Sequence, residues 1–135
     1  MNCLFIDSGY FIALEALDDQ NHKIASIHWK TLCKSLPQLL TTSYVFDEVI
    51  TFFNSKGKHD KAVELGKNIL DSPAIKLIHI NEALFNKSWE YLKQHDDKTY
   101  SFTDCTSFVL MKQRKITKAL TFDRHFKQAG FEMFP

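Results

Sequence analysis

The stretch Ser101-Phe102-Thr103-Asp104-Cys105-Thr106-Ser107-Phe108-Val109-Leu110 places one acid at the start of an otherwise apolar helix. Ser101 is the predicted N-cap, because Asp104 follows three residues later and can accept a hydrogen bond from the backbone N–H of the cap. Asp104 also meets the positive end of the helix dipole. Apolar side chains then surround most of the helix, which is typical of a helix buried at the centre of a small domain. Capping alone, worth about 0.3–1 kcal/mol, would explain Asp104, so any further role depends on the other acids.

Composition and length limit the class of protein. The chain has 135 residues, 44% of them hydrophobic, with 17 Lys and Arg against 16 Asp and Glu. We therefore expect a single domain over residues 1–135 with a core of its own, and disorder is excluded. The near-neutral charge gives no global attraction to nucleic acid, so such a partner must be held locally.

The sequence also predicts a cytoplasmic protein that does not associate with a membrane. No apolar run approaches the length of a membrane span, and the first residues lack the basic region of a signal peptide. The three cysteines, Cys3, Cys33 and Cys105, are far apart in apolar surroundings, so we expect buried thiols rather than disulfides.

Short apolar runs alternate with segments of helical periodicity along the whole chain. Strands are predicted over 3–6, 39–42, 75–80 and 119–122, with an edge strand over 132–134, and helices over 10–17, 22–36, 43–55, 60–70, 82–92, 102–111 and 124–129. This alternation predicts an α/β fold, a three-layer α/β/α sandwich around a central, mostly parallel sheet of four to five strands.

Two acids directly follow predicted strands. Asp7 ends the first strand and Asp123 ends the fourth, and the carboxyl ends of parallel strands form the edge where open α/β sheets bind ligands. Thr121 lies two residues before Asp123 and so shares its face of the strand. Asp104, on a helix that packs against the sheet, would bring a third carboxylate to this edge.

A fourth acid is predicted from helical periodicity. At about 100° per residue, Val45, Val49 and Phe53 form an apolar stripe with Glu48 at its border and Asp47 nearly opposite. Asp47 is therefore predicted to face solvent and Glu48 to face the rest of the domain. Glu48 lies in the middle of the helix, so capping cannot explain it. The alternative to a functional role is an ordinary surface glutamate at the border of the apolar stripe.

Carboxylates gathered in one pocket require a counter-charge. Two of them about 5 Å apart repel by roughly 3 kcal/mol at an effective dielectric constant near 20. Oxygen ligands favour Mg²⁺ or Mn²⁺ over Zn²⁺, and these ions serve phosphoryl transfer. The residues therefore predict a divalent metal site made of Asp7, Glu48, Asp104 and Asp123.

Three runs carry a family resemblance: Leu-Phe-Ile-Asp-Ser at 4–8, Ser-Phe-Thr-Asp-Cys-Thr-Ser-Phe at 101–108 and Leu-Thr-Phe-Asp-Arg-His-Phe at 120–126. They closely resemble PIN domains, in particular the VapC-type ribonuclease toxins of prokaryotic toxin–antitoxin pairs, and the resemblance covers essentially the whole chain. It implies that the family's metal-binding acids correspond to Asp7, Glu48, Asp104 and Asp123, with Ser8 and Thr121 as accompanying hydroxyls. Many members have Thr at the position of Ser8, and the segment around Glu48 carries no distinctive motif.

The resemblance implies a PIN-like fold and an endoribonuclease that depends on Mg²⁺ or Mn²⁺ and hydrolyses RNA with a metal-activated water. It also implies a homodimer held inactive by a small antitoxin. The alternative is a PIN-like module that binds RNA or protein without cutting, although a pure binder has no reason to assemble repelling carboxylates. His125, two residues after Asp123, is interpreted as a surface residue that could contact a phosphate.

Other enzyme classes find little support in the sequence. No C-x-x-C or H-x-x-x-H spacing supports zinc, and no Gly-rich loop supports a nucleotide site. A phosphatase with Asp7 as nucleophile would place a second acid where this chain has Gly9.

Overall fold

The computed structural model describes residues 3–135. Its strands are β1 (Cys3–Ile6), β2 (Gln38–Thr42), β3 (Ile75–Ile78), β4 (Lys118–Leu120) and β5 (Glu132–Phe134). Its helices are α1 (Ser8–Glu15), α2 (His22–Leu32), α3 (Ser43–Ser55), α4 (His59–Asp71), α5 (Glu82–Gln94), α6 (Phe102–Gln113) and α7 (His125–Gln128). The predicted order of elements is confirmed, with most boundaries shifted by a few residues.

The five strands form one sheet in the order β3-β2-β1-β4-β5, and every neighbouring pair is parallel. Right-handed crossovers of this strand order place α1 to α4 on one face of the sheet and α5 to α7 on the other. The predicted three-layer α/β/α sandwich is therefore confirmed. From β1 the chain continues to β2 and β3 on one side of β1, and then crosses to β4 and β5 on the other side. The strand order therefore reverses between β1 and β4, and open α/β sheets bind ligands at such a reversal.

Helix α6 is the buried helix that its sequence predicts. Ser101 Oγ accepts a hydrogen bond from Asp104 N at 2.9 Å, and Asp104 Oδ2 accepts one from Ser101 N at 3.1 Å, so both hydrogen bonds of the predicted capping box are present. Phe108, fully buried, packs edge-on against Phe126 of α7 with ring centroids 4.9 Å apart, and Phe126 contacts Phe5 of β1. This aromatic cluster fixes α6 against the sheet.

Two expectations are wrong: that all three cysteines are buried, and that α2 continues to residue 36. Among the cysteines, Cys105 is buried, Cys3 is half-buried and Cys33 is exposed. Cys33 begins a short 3₁₀ turn, Cys33–Ser35, where α2 ends at Leu32 instead of continuing to 36 as predicted. Because the turn leads the chain around the end of the sheet toward β2, its side chains leave the apolar face of the helix.

Within residues 3–135, no helix combines the length and the apolar character that a membrane crossing requires.

Candidate active site

The two strand-end acids meet through Thr121. Asp7 is 6% exposed, and its Oδ2 accepts a hydrogen bond from Thr121 Oγ1 at 2.9 Å. The same hydroxyl oxygen accepts a hydrogen bond from Asp123 N at 3.0 Å, so one threonine links the ends of β1 and β4. The sequence placed Thr121 near Asp123, and the structure adds the direct bond to Asp7, 114 residues away in the chain.

Asp104 lies beside Asp123 at the start of α6. Suitable ligand atoms of Asp104, Asp123 and His125 all lie within 4.8 Å of one another. Asp104 Oδ2 accepts from Ser101 N in the capping box, and Asp123 Oδ1 accepts from His125 N at 2.9 Å. In the hydrogen bonds among residues 3–135, the second oxygen of each of these two carboxylates has no partner, so it is available to a ligand.

Glu48 joins the group from α3, as its helical phase predicts. Glu48 is half-buried whereas Asp47 is exposed, so periodicity separated the two acids correctly. Burial raises the pKa of Glu48, the negative charge of Asp104 raises it further, and the hydroxyls of Ser8 and Thr103 lower it. Thr103 is a neighbour of this acid that the sequence analysis missed, and Ser8 lies where the resemblance implied a hydroxyl.

The carboxylates influence one another across the site. Burial raises the pKa of Asp7 to about 7, opposed by the Thr121 hydroxyl and assisted by the charges of Asp104 and Glu48. Burial also raises the pKa of Asp104, with the charge of Asp123 as the next cause. All four predicted acids are therefore coupled through space.

No basic side chain of Lys or Arg compensates this charge. In the part of the chain that the structure describes, neither lysine nor arginine forms an ion pair with any of the four acids. Buried carboxylates without counter-charge are costly, and a cluster of hard oxygen donors is the ligand set that Mg²⁺ and Mn²⁺ prefer. The residues present therefore fit a divalent cation.

His125 is the residue that the sequence analysis misjudged. Its Nδ1 lies 3.0 Å from Asp104 Oδ2 and 3.4 Å from Asp123 Oδ1, so the ring lies within the acidic site and not on the surface as interpreted. A histidine two residues after a strand-end acid was a visible signal. Because α7 begins only at His125, the tight turn after Asp123 directs the imidazole back over the carboxyl edge of the sheet.

The chain is similar to known proteins over nearly its whole length. The PIN domain family model matches residues 4–132. The 23S rRNA-specific endonuclease VapC20 of Mycobacterium tuberculosis is 33% identical over 128 residues, which is 95% of each chain. Its crystal structure, described as a sarcin–ricin loop cleaving toxin, superposes with a TM-score of 0.85 at 32% identity, again over 95% of each chain.

A second solved structure, FitAcB from Neisseria gonorrhoeae, covers 98% of this chain and 96% of its own with a TM-score of 0.67. At 17% identity it supports the fold alone. Since the family model spans nearly the whole chain and the similarity to VapC20 extends over 95% of both proteins, this chain belongs to the PIN-domain family, among its VapC-type endoribonucleases.

Proposed function

We propose that residues 1–135 act as a single cytoplasmic endoribonuclease domain whose divalent cation, Mg²⁺ or Mn²⁺, is held by Asp7, Glu48, Asp104 and Asp123. One observation carries this proposal. Burial raises the pKa values of Asp7, Glu48 and Asp104, the charge of a neighbouring carboxylate raises each of these pKa values further, and no lysine or arginine among the described residues forms an ion pair with them. Such an arrangement is unfavourable in a protein that only binds, and a cation offsets its cost.

The side chains around the acids hold them in place for the reaction. When bound, the divalent cation supplies an activated water and neutralises charge at the scissile phosphate. Thr121 orients Asp7 by donating to Oδ2, and the Ser101 backbone orients Asp104 by donating to its Oδ2. The hydroxyl of Ser8 lies near Glu48 and lowers the pKa of that carboxyl. Pre-organisation of this kind limits the rearrangement needed when RNA arrives.

The substrate follows from the family and from the name of the relative. VapC20 is called a 23S rRNA-specific endonuclease, so we take ribosomal RNA, and its sarcin–ricin loop first, as the RNA to test with this protein. Attack by water leaves 3′-hydroxyl and 5′-phosphate ends, whereas attack by the RNA 2′-hydroxyl leaves a 2′,3′-cyclic phosphate.

The test is cleavage of this RNA with Mg²⁺, with Mn²⁺ and with EDTA, followed by analysis of the product ends. We expect metal-dependent cleavage with 5′-phosphate ends, and an Asp104→Asn protein with an unchanged circular dichroism spectrum but at least 100-fold lower activity, roughly the loss of one transition-state interaction. Asp47→Asn, which removes an exposed acid next to Glu48, is the control and should stay fully active. Cyclic phosphate products that resist EDTA would overturn the mechanism.

We also propose a homodimer and a small antitoxin as protein partners. Exposed apolar side chains among the described residues include Ile24 and Ile27 on α2, which are 54% and 59% exposed, and Phe85 and Trp89 on α5, which are 45% and 50% exposed. A chain that binds both a second copy and an antitoxin needs two such surfaces. The aromatic residues of α5 suit the permanent interface, and a basic antitoxin side chain suits the acidic site.

A further inference from the structure

The imidazole of His125 is held in a defined position between two of the site's carboxylates. Its Nδ1 lies 3.0 Å from Asp104 Oδ2 and 3.4 Å from Asp123 Oδ1. The ring also packs edge-on against Tyr100, with ring centroids 5.3 Å apart, and the side chain is 25% exposed. Contacts on several sides therefore fix the ring where it is.

The second ring nitrogen has a partner of its own. Nε2 of His125 lies 3.3 Å from Thr99 Oγ1, on the side away from the carboxylates. A histidine that binds a metal with one nitrogen generally donates the N–H of its other nitrogen to an oxygen nearby, which fixes the tautomer and the ring orientation. In His125, Nδ1 is directed at the acids and Nε2 lies within hydrogen-bonding distance of Thr99 Oγ1, so the tautomer with a proton on Nε2 would have this arrangement.

The spacing of the three side chains matches one coordination sphere. Neighbouring ligand atoms around a six-coordinate ion with bonds of about 2.1 Å lie roughly 3 Å apart. The distances from Nδ1 to Asp104 and Asp123 have this magnitude. Without an ion the Nδ1–H is donated to Asp104; with an ion the neutral ring would carry its proton on Nε2 and donate it to Thr99.

We propose that His125 is a nitrogen ligand of the divalent cation, together with Asp104 and Asp123, and that it makes the site select Mn²⁺ over Mg²⁺. The inference rests on the proposed function, since it concerns the same ion. Imidazole suits first-row transition metals, whereas Mg²⁺ takes oxygen ligands almost exclusively. A purely carboxylate site would discriminate less between the two ions.

The test uses Mn²⁺ bound to the purified full-length protein and pulsed electron paramagnetic resonance. Wild type should show a hyperfine coupling from a directly bound nitrogen, and ¹⁵N-labelling of histidine should change that coupling. His125→Gln should lose it and bind Mn²⁺ at least tenfold more weakly, with Mg²⁺ affinity changed less than threefold. His79→Gln, a substitution of an exposed histidine on another part of the chain, should behave as wild type.

The possible results are separable. Bound Mn²⁺ without histidine coupling in wild type would overturn the inference while leaving the four-acid site intact, and His125 would then only orient Asp104. An unchanged ratio of Mn²⁺ to Mg²⁺ affinity in folded His125→Gln would also overturn it. Failure of wild type to bind either ion would overturn both this inference and the proposed function. The labelling experiment needs no variant, so it decides the question even if His125→Gln fails to fold.

Discussion

Asp104 shows how one carboxylate serves both folding and the site. Its Oδ2 accepts the capping-box hydrogen bond from Ser101 and faces His125 Nδ1, while its other oxygen has no hydrogen-bond partner among the described residues. Capping and ligand binding are therefore compatible roles of this one carboxylate. Substitution by Asn keeps an oxygen for the cap and removes the charge, which is why Asp104→Asn isolates the functional role.

Asp7 predicts how stability depends on pH. Its pKa in the folded protein is about 7, mainly because of burial, against about 3.9 for an unperturbed Asp. Between these values the folded state binds more protons than the unfolded state, so the free energy of unfolding falls as pH rises, by up to about 1.4 kcal/mol per pH unit.

We expect metal-free wild type to be more stable at pH 5 than at pH 8, and Asp7→Asn to show a shallower dependence. Urea denaturation in EDTA at several pH values measures both slopes. Glu48 and Asp104 contribute in the same direction in both proteins, because burial raises their pKa values too. Equal slopes for the two proteins would contradict the raised pKa of Asp7.

A bound cation should offset the loss of stability that the charged carboxylates cause at high pH. Millimolar Mg²⁺ or Mn²⁺ should raise the melting temperature of wild type at pH 8, because an ion that binds only the folded state stabilises it. Asp7→Asn should lose most of that rise, whereas Asp47→Asn should keep it. Thermal melts with and without the ion measure the effect, and no shift in wild type would argue against the metal site.

At the level of the element, α6 combines a strong local start signal with a central place in the core. Among the hydrogen bonds of residues 3–135, the Ser101 hydroxyl accepts from Asp104 N and makes no bond to a carboxylate, and Asp104 Oδ2 is held by the Ser101 backbone N–H. The cap side chain should therefore matter for stability more than for catalysis.

We expect Ser101→Ala to lower the free energy of unfolding by about 1 kcal/mol, the usual value of an N-cap side chain. Activity should stay within a few-fold of wild type, because the Ser101 N–H still holds Asp104. Ser55→Ala, at the exposed end of α3, is the control for loss of a serine hydroxyl. Chemical denaturation and a cleavage assay measure the two effects, and a loss of activity as large as that of Asp104→Asn would place the hydroxyl itself in the site.

For the whole molecule, the exposed aromatic side chains of α5 are the surface that supports the proposed homodimer. Phe85 contacts Phe102 with ring centroids 5.1 Å apart, and Phe102 contacts Tyr44 at 6.2 Å. Trp89 lies one turn after Phe85 on the same face of the helix. These residues form a continuous apolar surface from α5 toward the start of α3 and α6.

We expect Trp89→Glu to convert a dimer into a monomer, because a charge in the centre of an apolar interface loses its hydration when the interface forms. Light scattering at micromolar concentration measures the mass, and circular dichroism confirms folding. Ala83→Glu adds the same charge at an exposed position on a different face of α5 and should leave the dimer intact. A monomeric wild type, or a dimeric Trp89→Glu protein, would contradict the assignment of this surface.

Local patterns in the sequence determined the order of strands and helices, the parallel sheet, the buried course of α6 and the approach of Glu48 to the other acids. These features depend on residues that are close in the chain, such as Ser101 and Asp104, or on the period of a single helix. Thr121 and the strand-end acids were predicted for the same reason, since each lies in or directly after a predicted strand, whereas Ser8 was implied by the family resemblance.

Only the tertiary structure decided which side chains leave the core and which enter the site. Ile24 and Ile27 continue an apolar pattern yet remain exposed, and Cys33 is exposed where the chain turns toward β2. His125 meets Asp104 across 21 residues, and Thr121 meets Asp7 across 114. Such contacts depend on how helices and strands pack, and a local sequence pattern does not show which distant residues become neighbours. The sequence therefore predicted the acids and the hydroxyls of Ser8 and Thr121, while the fold determined the contacts among them and brought the imidazole of His125 to Asp104.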